Sequence, residues 1–410
     1  MVPRMQPDPT PYAALESASN PNFSTDGKTL FHLRGAGLQQ VWALDLGTGA
    51  ARQLTSHDEK VGLLRRAPND DRLIYGIDAG GDERQQFWLL DGDPSPLTSA
   101  PDIIHGFGAW HPDGTRFSLT ANDRDEAHYD ILVQDLATGE RTRLLEGRHE
   151  MAVAAWHKDG TRLMALEDRA TGDQRPFVLS LDGVVAWVPR KRETRFASLR
   201  WDGDAIMGLT DAHGGDFMAL CRIDPATGAA TPVFAPEARD VEAWTLAASG
   251  NLLATVENDR GYGVLRVGPM DGERLVVPGL ERGVATDPSW SADGTRLAFA
   301  WSAPDRPSGL WLWEDGAASP VWQPDLAVPT TPFRLVEWTS FDGRTIPGWL
   351  ATPARPPVNG GHPAVIWVHG GPASQVRANF RPDMQALLAR GYAVLMPNVR
   401  GSTGYGRAYM

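Results

Sequence analysis

The chain has 410 residues, which exceeds one ordinary domain and suits two or three. With 42% hydrophobic and 22% charged residues it can build a core, and it is neither collagen-like nor disordered. A formal net charge of −12 argues against nucleic acid or an anionic membrane surface as the main partner, and the single Cys221 excludes an intrachain disulfide, a cysteine zinc site and a redox pair.

The first stretch, residues 1–20, carries no apolar signal-peptide core, and no later run reaches the roughly 18 apolar residues of a membrane span. The expected compartment is therefore the cytoplasm, and no membrane partner is expected.

Residues 21–325 are organised by a repeat. A Trp or other anchor is followed by Asp-Gly or an equivalent turn and then by an alternating apolar strand, as in WHPDGTRFSLT from Trp110, WHKDGTRLMAL from Trp156 and WSADGTRLAFA from Trp290. The first apolar residue after each turn is Leu30, Leu73, Phe117, Leu163, Ile206, Leu253 and Leu297, at spacings of 43 to 47 residues. A second marker runs in phase: strand, glycine turn, strand, with the turn at Gly49, Gly92, Gly139, Gly183, Gly228, Gly272 and Gly316. Alternation over four to eight positions is the pattern of half-buried strands, and Asp-Gly supplies the positive φ of a tight hairpin. Four strands per unit of roughly 40–50 residues define a propeller blade. The sequence thus predicts a mainly β protein with a seven-bladed β-propeller whose Trp residues wedge between blades. Each end supplies its own blade, so the ring is expected to close by side-by-side packing.

Several residues within the repeat invite functional readings. Cys221 lies in an apolar run and is expected to be a buried, inert thiol. His111 and His157 precede turns and are expected at the surface. The basic run Arg190-Lys191-Arg192 with Arg195 is expected to be a solvated loop, the alternative being a contact to a peptide carboxylate or a partner subunit. Asp123 to Glu126 lacks the alternating oxygen pattern of a calcium loop, so surface charge is expected. No His/Glu spacing indicates a metal, and no cofactor is predicted.

The pattern changes after a Pro-rich linker at 326–333. FRLVEWTS, FDGRT and IPGWLATP predict a hairpin around Asp342-Gly343. Ala364 to Val368 is a continuous apolar strand, expected to be buried on both faces of a parallel sheet, and His369-Gly370-Gly371-Pro372 ends it. Residues 382–390 predict a helix with Pro382 in its first turn and Gly391 as its cap. Residues 392–396 predict a second buried strand, followed by NVRGSTGYG.

Hairpin, strand, HGGP, helix, strand and glycine-rich loop is how an α/β-hydrolase domain begins. Behind seven blades, with HGGP and RGSTGYG separated by 31 residues, the chain resembles the prolyl oligopeptidase family of serine peptidases, most closely the acylaminoacyl-peptidase group. The resemblance covers nearly the whole chain. It implies a seven-bladed propeller followed by an incomplete α/β-hydrolase domain at 334–410, acting on short peptides through an acyl-enzyme, with the propeller gating access. Acyl transfer needs donors aimed at an oxyanion, and the resemblance makes Gly371 the best match, with Gly370 shaping the turn, Tyr405 near the site and His369 bracing the loop. No Gly-x-Ser-x-Gly nucleophile elbow is present, and Ser374 and Ser402 lack its flanking glycines. The triad is expected beyond Met410, so the chain is expected to be a fragment inactive alone, a natural split protein being the less favoured reading. Two other readings stay open: a non-catalytic propeller scaffold and an esterase of the same fold. Assembly into a homo-oligomer also stays open.

Overall fold

The computed structural model describes residues 8–357, 360–371 and 373–410. Pro372, the last residue of the HGGP motif, lies outside the described residues, as does the start of the N-terminal segment.

Strands Ser17–Phe23, Thr29–Gly35, Gln40–Asp45 and Ala51–Gln53 pair in sequence order into an antiparallel sheet. The same meander recurs at 61–96, 105–145, 150–187, 196–234, 240–276 and 284–322, and a single parallel bridge between Gly263 and Val284 links the last two sheets. Six of the seven marker glycines, Gly49, Gly92, Gly139, Gly183, Gly228 and Gly316, have φ between +71° and +86°, where a side chain would be strained, whereas Gly272 does not adopt a positive φ.

Each sheet buries its face against the next. Val41 meets Val61, Ile74 meets Phe117, Val133 meets Val153, Met164 meets Phe196, Leu209 meets Val241, and Val256 meets Leu297. The seventh such core joins Leu310 and Leu312 to Ala18, Phe23 and Leu30, returning the order to its start. This architecture is consistent with a β-propeller.

Neither terminal sheet borrows a strand from the other: residues 17–53 form one and 284–322 the other. Their seam is held by packing and by hydrogen bonds that include Arg296 Nη2 to Gly27 O and Ser308 Oγ to Ala18 O, both 2.7 Å, and Asn20 N to Asp287 Oδ2 at 3.3 Å. Arg34 reinforces it. Its guanidinium lies 4.5 Å from the ring centres of both Trp42 and Trp322, and Glu16 Oε2 holds its Nη2 at 2.7 Å.

The Trp wedges are visible bond by bond. The indole N–H of Trp110, Trp156, Trp201, Trp244 and Trp290 donates to a carbonyl of the preceding sheet: Arg65, Ala109, Ala155, Ser198 and Thr245 respectively. The expectation for His111 and His157 is corrected here, since both are buried. His111 Nε2 contacts Gly160 O at 3.0 Å and its ring meets Trp156 edge-on at 4.7 Å; the His157 ring meets Trp201 in the same way at 5.0 Å. Each therefore fills the gap under the next sheet's Asp-Gly turn.

A last sheet has the order Arg334–Thr339, Thr345–Ala351, Ala393–Pro397, Ala364–Ile366, with only the final pair parallel. One face is covered by helix Pro382–Ala389 and residues 376–378, around the fully buried Trp349. The other face is open. Ile366 is 66% and Val368 55% exposed, so the strand expected to be buried on both faces is buried on one. Val365 is half-buried and Trp367 packs onto the covered core, while the alternate positions have no neighbour above them among the described residues.

This sheet docks on the hairpin loops of the later propeller sheets. Trp349 Nε1 donates to Val376 O, and Ala378 N to Gly261 O. Gly261 has φ +101°, and a Cβ there would lie 3.0 Å from the Trp349 ring, so the close approach requires glycine.

Candidate functional site

The strand Ala364–Ile366 runs into the loop at His369. Gly371 has φ +131°, and a Cβ there would press on Ser374 Cβ at 3.1 Å. A side chain at 371 would thus be both strained and crowded. Gly371 is exposed, and its N–H makes no hydrogen bond among the described residues.

His369 is tied to the glycine-rich loop that follows the last strand. Its Nε2 lies 2.8 Å from Ser402 Oγ, and Ser402 in turn donates to Val399 O at 2.6 Å. With the serine proton committed to that carbonyl, its oxygen accepts from His369 Nε2–H. A Ser–His contact of this kind is not a nucleophile and base, because the hydroxyl points away from the imidazole and Ser402 is fully buried.

Tyr405 lies deeper. Asn398 Nδ2 donates to its hydroxyl at 2.8 Å, Gln375 also bonds it, and burial pushes its phenol above the ordinary tyrosine range. Asn398 is itself buried and pins the chain at Val376, accepting from Val376 N at 2.7 Å and donating to Val376 O at 3.1 Å. The structure therefore brings His369 and Gly371 into one braced loop and places Tyr405 beneath the segment that follows it.

That segment carries residues the sequence reading passed over. Gln375 Oε1 accepts from Asn258 Nδ2 at 2.6 Å, Asn258 also bonds Glu242, and Arg377 pairs with Glu242. Burial raises the Glu242 carboxyl above its usual range, against the pull of Arg377. Farther along, Asp211 is fully buried and takes Arg195 N at 3.0 Å, Arg195 Nε at 2.9 Å and Arg407 Nη1 at 3.1 Å. Gln375 and Arg377 stand three and five residues after the end of HGGP, and that proximity was the one clue available to sequence.

The basic run is not a solvated loop throughout. Arg190 pairs with Asp173, Arg192 Nη2 donates to Asp211 O at 2.7 Å, and Arg195 is buried on Asp211, while Lys191 and Arg192 remain exposed. Its cations are thus spent on the protein's own carbonyls and carboxylates. Cys221 is fully buried, and burial pushes its thiol up to about 12, so it is inert at neutral pH. Among the described residues no group of three or more His, Cys, Asp or Glu is arranged to hold a metal ion.

These features define a β-propeller-like array docked to a small mixed sheet that carries a glycine loop. No family model matches the chain. It is 28% identical over 431 aligned positions to dipeptidyl aminopeptidase BIII of Pseudoxanthomonas mexicana, covering 95% of this chain and 60% of that protein. Among solved structures, a prolyl endopeptidase matches with TM-score 0.82 and 16% identity over 99% of this chain and 65% of that one. The acylaminoacyl peptidase of Pyrococcus horikoshii matches with TM-score 0.73 and 16% identity, over 99% and 68%. The chain thus spans about 60% of the length of the curated relative it matches. Taken together, the likenesses are those of the prolyl oligopeptidase family of serine peptidases.

Proposed function

We propose that this chain is the gating propeller and the opening part of the catalytic domain of a serine oligopeptidase, in the manner of the acylaminoacyl-peptidase group. The seven sheets form the seven blades (21–325), residues 326–333 the linker, and residues 334–410 the first part of an α/β-hydrolase domain. The observation that carries the reading is Gly371: an exposed residue whose backbone N–H has no partner among the described residues, at a φ reserved for glycine, following a parallel strand and braced through His369 and Ser402. A donor of this kind, fixed before substrate arrives, stabilises the oxyanion of an acyl-transfer intermediate without reorganising. Gly370 shapes the loop. Tyr405 acts through Gln375 and Asn398 as a positioning residue, since its hydroxyl is already engaged by both.

In this reading the nucleophile, acid and base follow Met410, and the propeller admits short peptides while excluding folded proteins. The product of the complete reading frame is expected to cleave tri- to pentapeptides and to leave a native globular protein intact. Gly371→Ala should lower kcat on the order of a hundredfold, comparable to the loss of one oxyanion donor. Unchanged kcat in that variant, or cleavage of ester substrates without peptides, would count against the assignment.

A further inference from the structure

A cavity of about 780 Å³ lies where the seam between the first and seventh sheets meets residues 375–382. It falls within the roughly 300–1,000 Å³ range of small-molecule sites. Its wall includes Gln375, Arg377 and Arg381 from one seven-residue segment, together with Lys60 and Glu16.

Behind this wall, under the part-exposed side chains of Arg377 and Arg381, lies a surplus of donors. Gln375 Nε2, Arg377 Nε, Arg377 Nη2 and Arg381 Nε are all buried and without a hydrogen-bond partner among the described residues. A buried donor left unpaired is costly, and proteins rarely keep one without a use. Here four cluster on one segment, and all are donors. The acceptor atom of Gln375 is already taken: its Oε1 is bonded by Asn258 Nδ2.

Each guanidinium is also only half used. Arg377 gives Nη1 to Glu242, while Arg381 gives Nη2 to Asp383 at 3.3 Å and lies with its carbon 3.9 Å from the centre of the Trp367 ring. The edge of Arg377 left over is the Nε/Nη2 pair, two parallel N–H groups that match the two oxygens of a carboxylate. Glu16, the one carboxylate of the lining, is committed to Arg34, and Lys60 adds a positive charge with no ion-pair partner among the described residues. Trp367 belongs to the strand that leads into His369, so the cavity wall and the glycine loop are joined through the Arg381–Trp367 stack.

We infer that this cavity is a carboxylate-binding subsite, in which Arg377 and Arg381, assisted by Gln375 Nε2, take the C-terminal carboxylate of a short peptide. The inference rests on the peptidase reading and deepens it: the substrate class becomes short peptides with a free C-terminus, and length selection follows from the distance between this subsite and the glycine loop.

Binding needs no nucleophile, so the test is made on the 410-residue chain itself by calorimetry with tri-alanine and tri-alanine amide. The free acid is expected to bind at least tenfold more tightly than the amide, and its affinity should fall with added salt while that of the amide does not. Arg377→Gln, which keeps a donor for Glu242, should erase most of the acid preference and leave amide binding within threefold. Gln375→Glu, which leaves both arginines in place and sets a carboxylate into the wall, should have the same effect. Equal affinity for acid and amide, no binding of either, or a preference that survives both variants would overturn the inference. Because hydrolysis is measured separately on the product of the complete reading frame, failure of this subsite is distinguishable from failure of the peptidase reading.

Discussion

His32 is one residue whose neighbours decide its chemistry. It sits fully buried in the second strand of the first sheet, with Nδ1 at 3.0 Å from Leu30 O, and burial lowers its pKa from 6.5 to about 4. Above pH 6.5 neither the folded nor the unfolded chain protonates it. Between 6.5 and 4 only the unfolded chain does, so stability is lost as pH falls through that window, by up to about 3 kcal/mol. Urea unfolding at a series of pH values is expected to give a shallower slope for His32→Gln, by close to one proton near pH 5. An unchanged slope would place the acid sensitivity elsewhere. The same scale explains the misreading of His111 and His157. A polar residue before an Asp-Gly turn resembles a surface residue in sequence, and only the Trp of the next sheet, some 45 residues on, makes it a buried one.

At the scale of elements, helix Pro382–Ala389 was legible because its start and stop are local: Pro382 opens it, and Gly391, at φ +93°, ends it. What the helix holds was not legible. Gln385 is buried within it and makes three 2.8 Å bonds, accepting from Thr331 N and donating to Pro304 O and Thr331 O. One glutamine thereby ties the helix, the linker and the last propeller hairpin together. Gln385→Ala leaves these backbone groups unpaired, at a cost of about 2–4 kcal/mol. Faster limited proteolysis within 323–333 is the expected readout, and unchanged cleavage there would contradict this role. The apolar strand 364–368 was likewise found by its composition, but its burial depends on which elements lie above it. Ile366 and Val368 remain exposed, and an edge of that kind is prone to self-association.

At the scale of the whole molecule, the repeat was readable from end to end because its two markers are periodic and its turns demand glycine. The seam between the propeller and the last sheet has no such period. It depends on single polar residues far apart in sequence, such as Asp211 with Arg407 and Glu242 with Arg377. No pattern in the chain announces such pairs, and so the brace around the candidate site was missed while its glycine loop was found. Asp211 serves two arginines from a fully buried position. Asp211→Asn leaves both guanidinium groups short of their counter-charge, an effect of roughly 3–5 kcal/mol for a buried pair. Hydrogen exchange should then quicken in residues 398–410 as well as in the loop around Arg195, whereas exchange confined to the Arg195 loop would mean that Arg407 does not fasten the two parts. The central claim, that the propeller and glycine loop serve a serine nucleophile located after Met410, is tested most directly by labelling with a fluorophosphonate probe. The account predicts no labelling of the 410-residue chain and stoichiometric labelling of one serine in the product of the complete reading frame. Labelling of the 410-residue chain at Ser374 or Ser402, together with peptide hydrolysis, would contradict it.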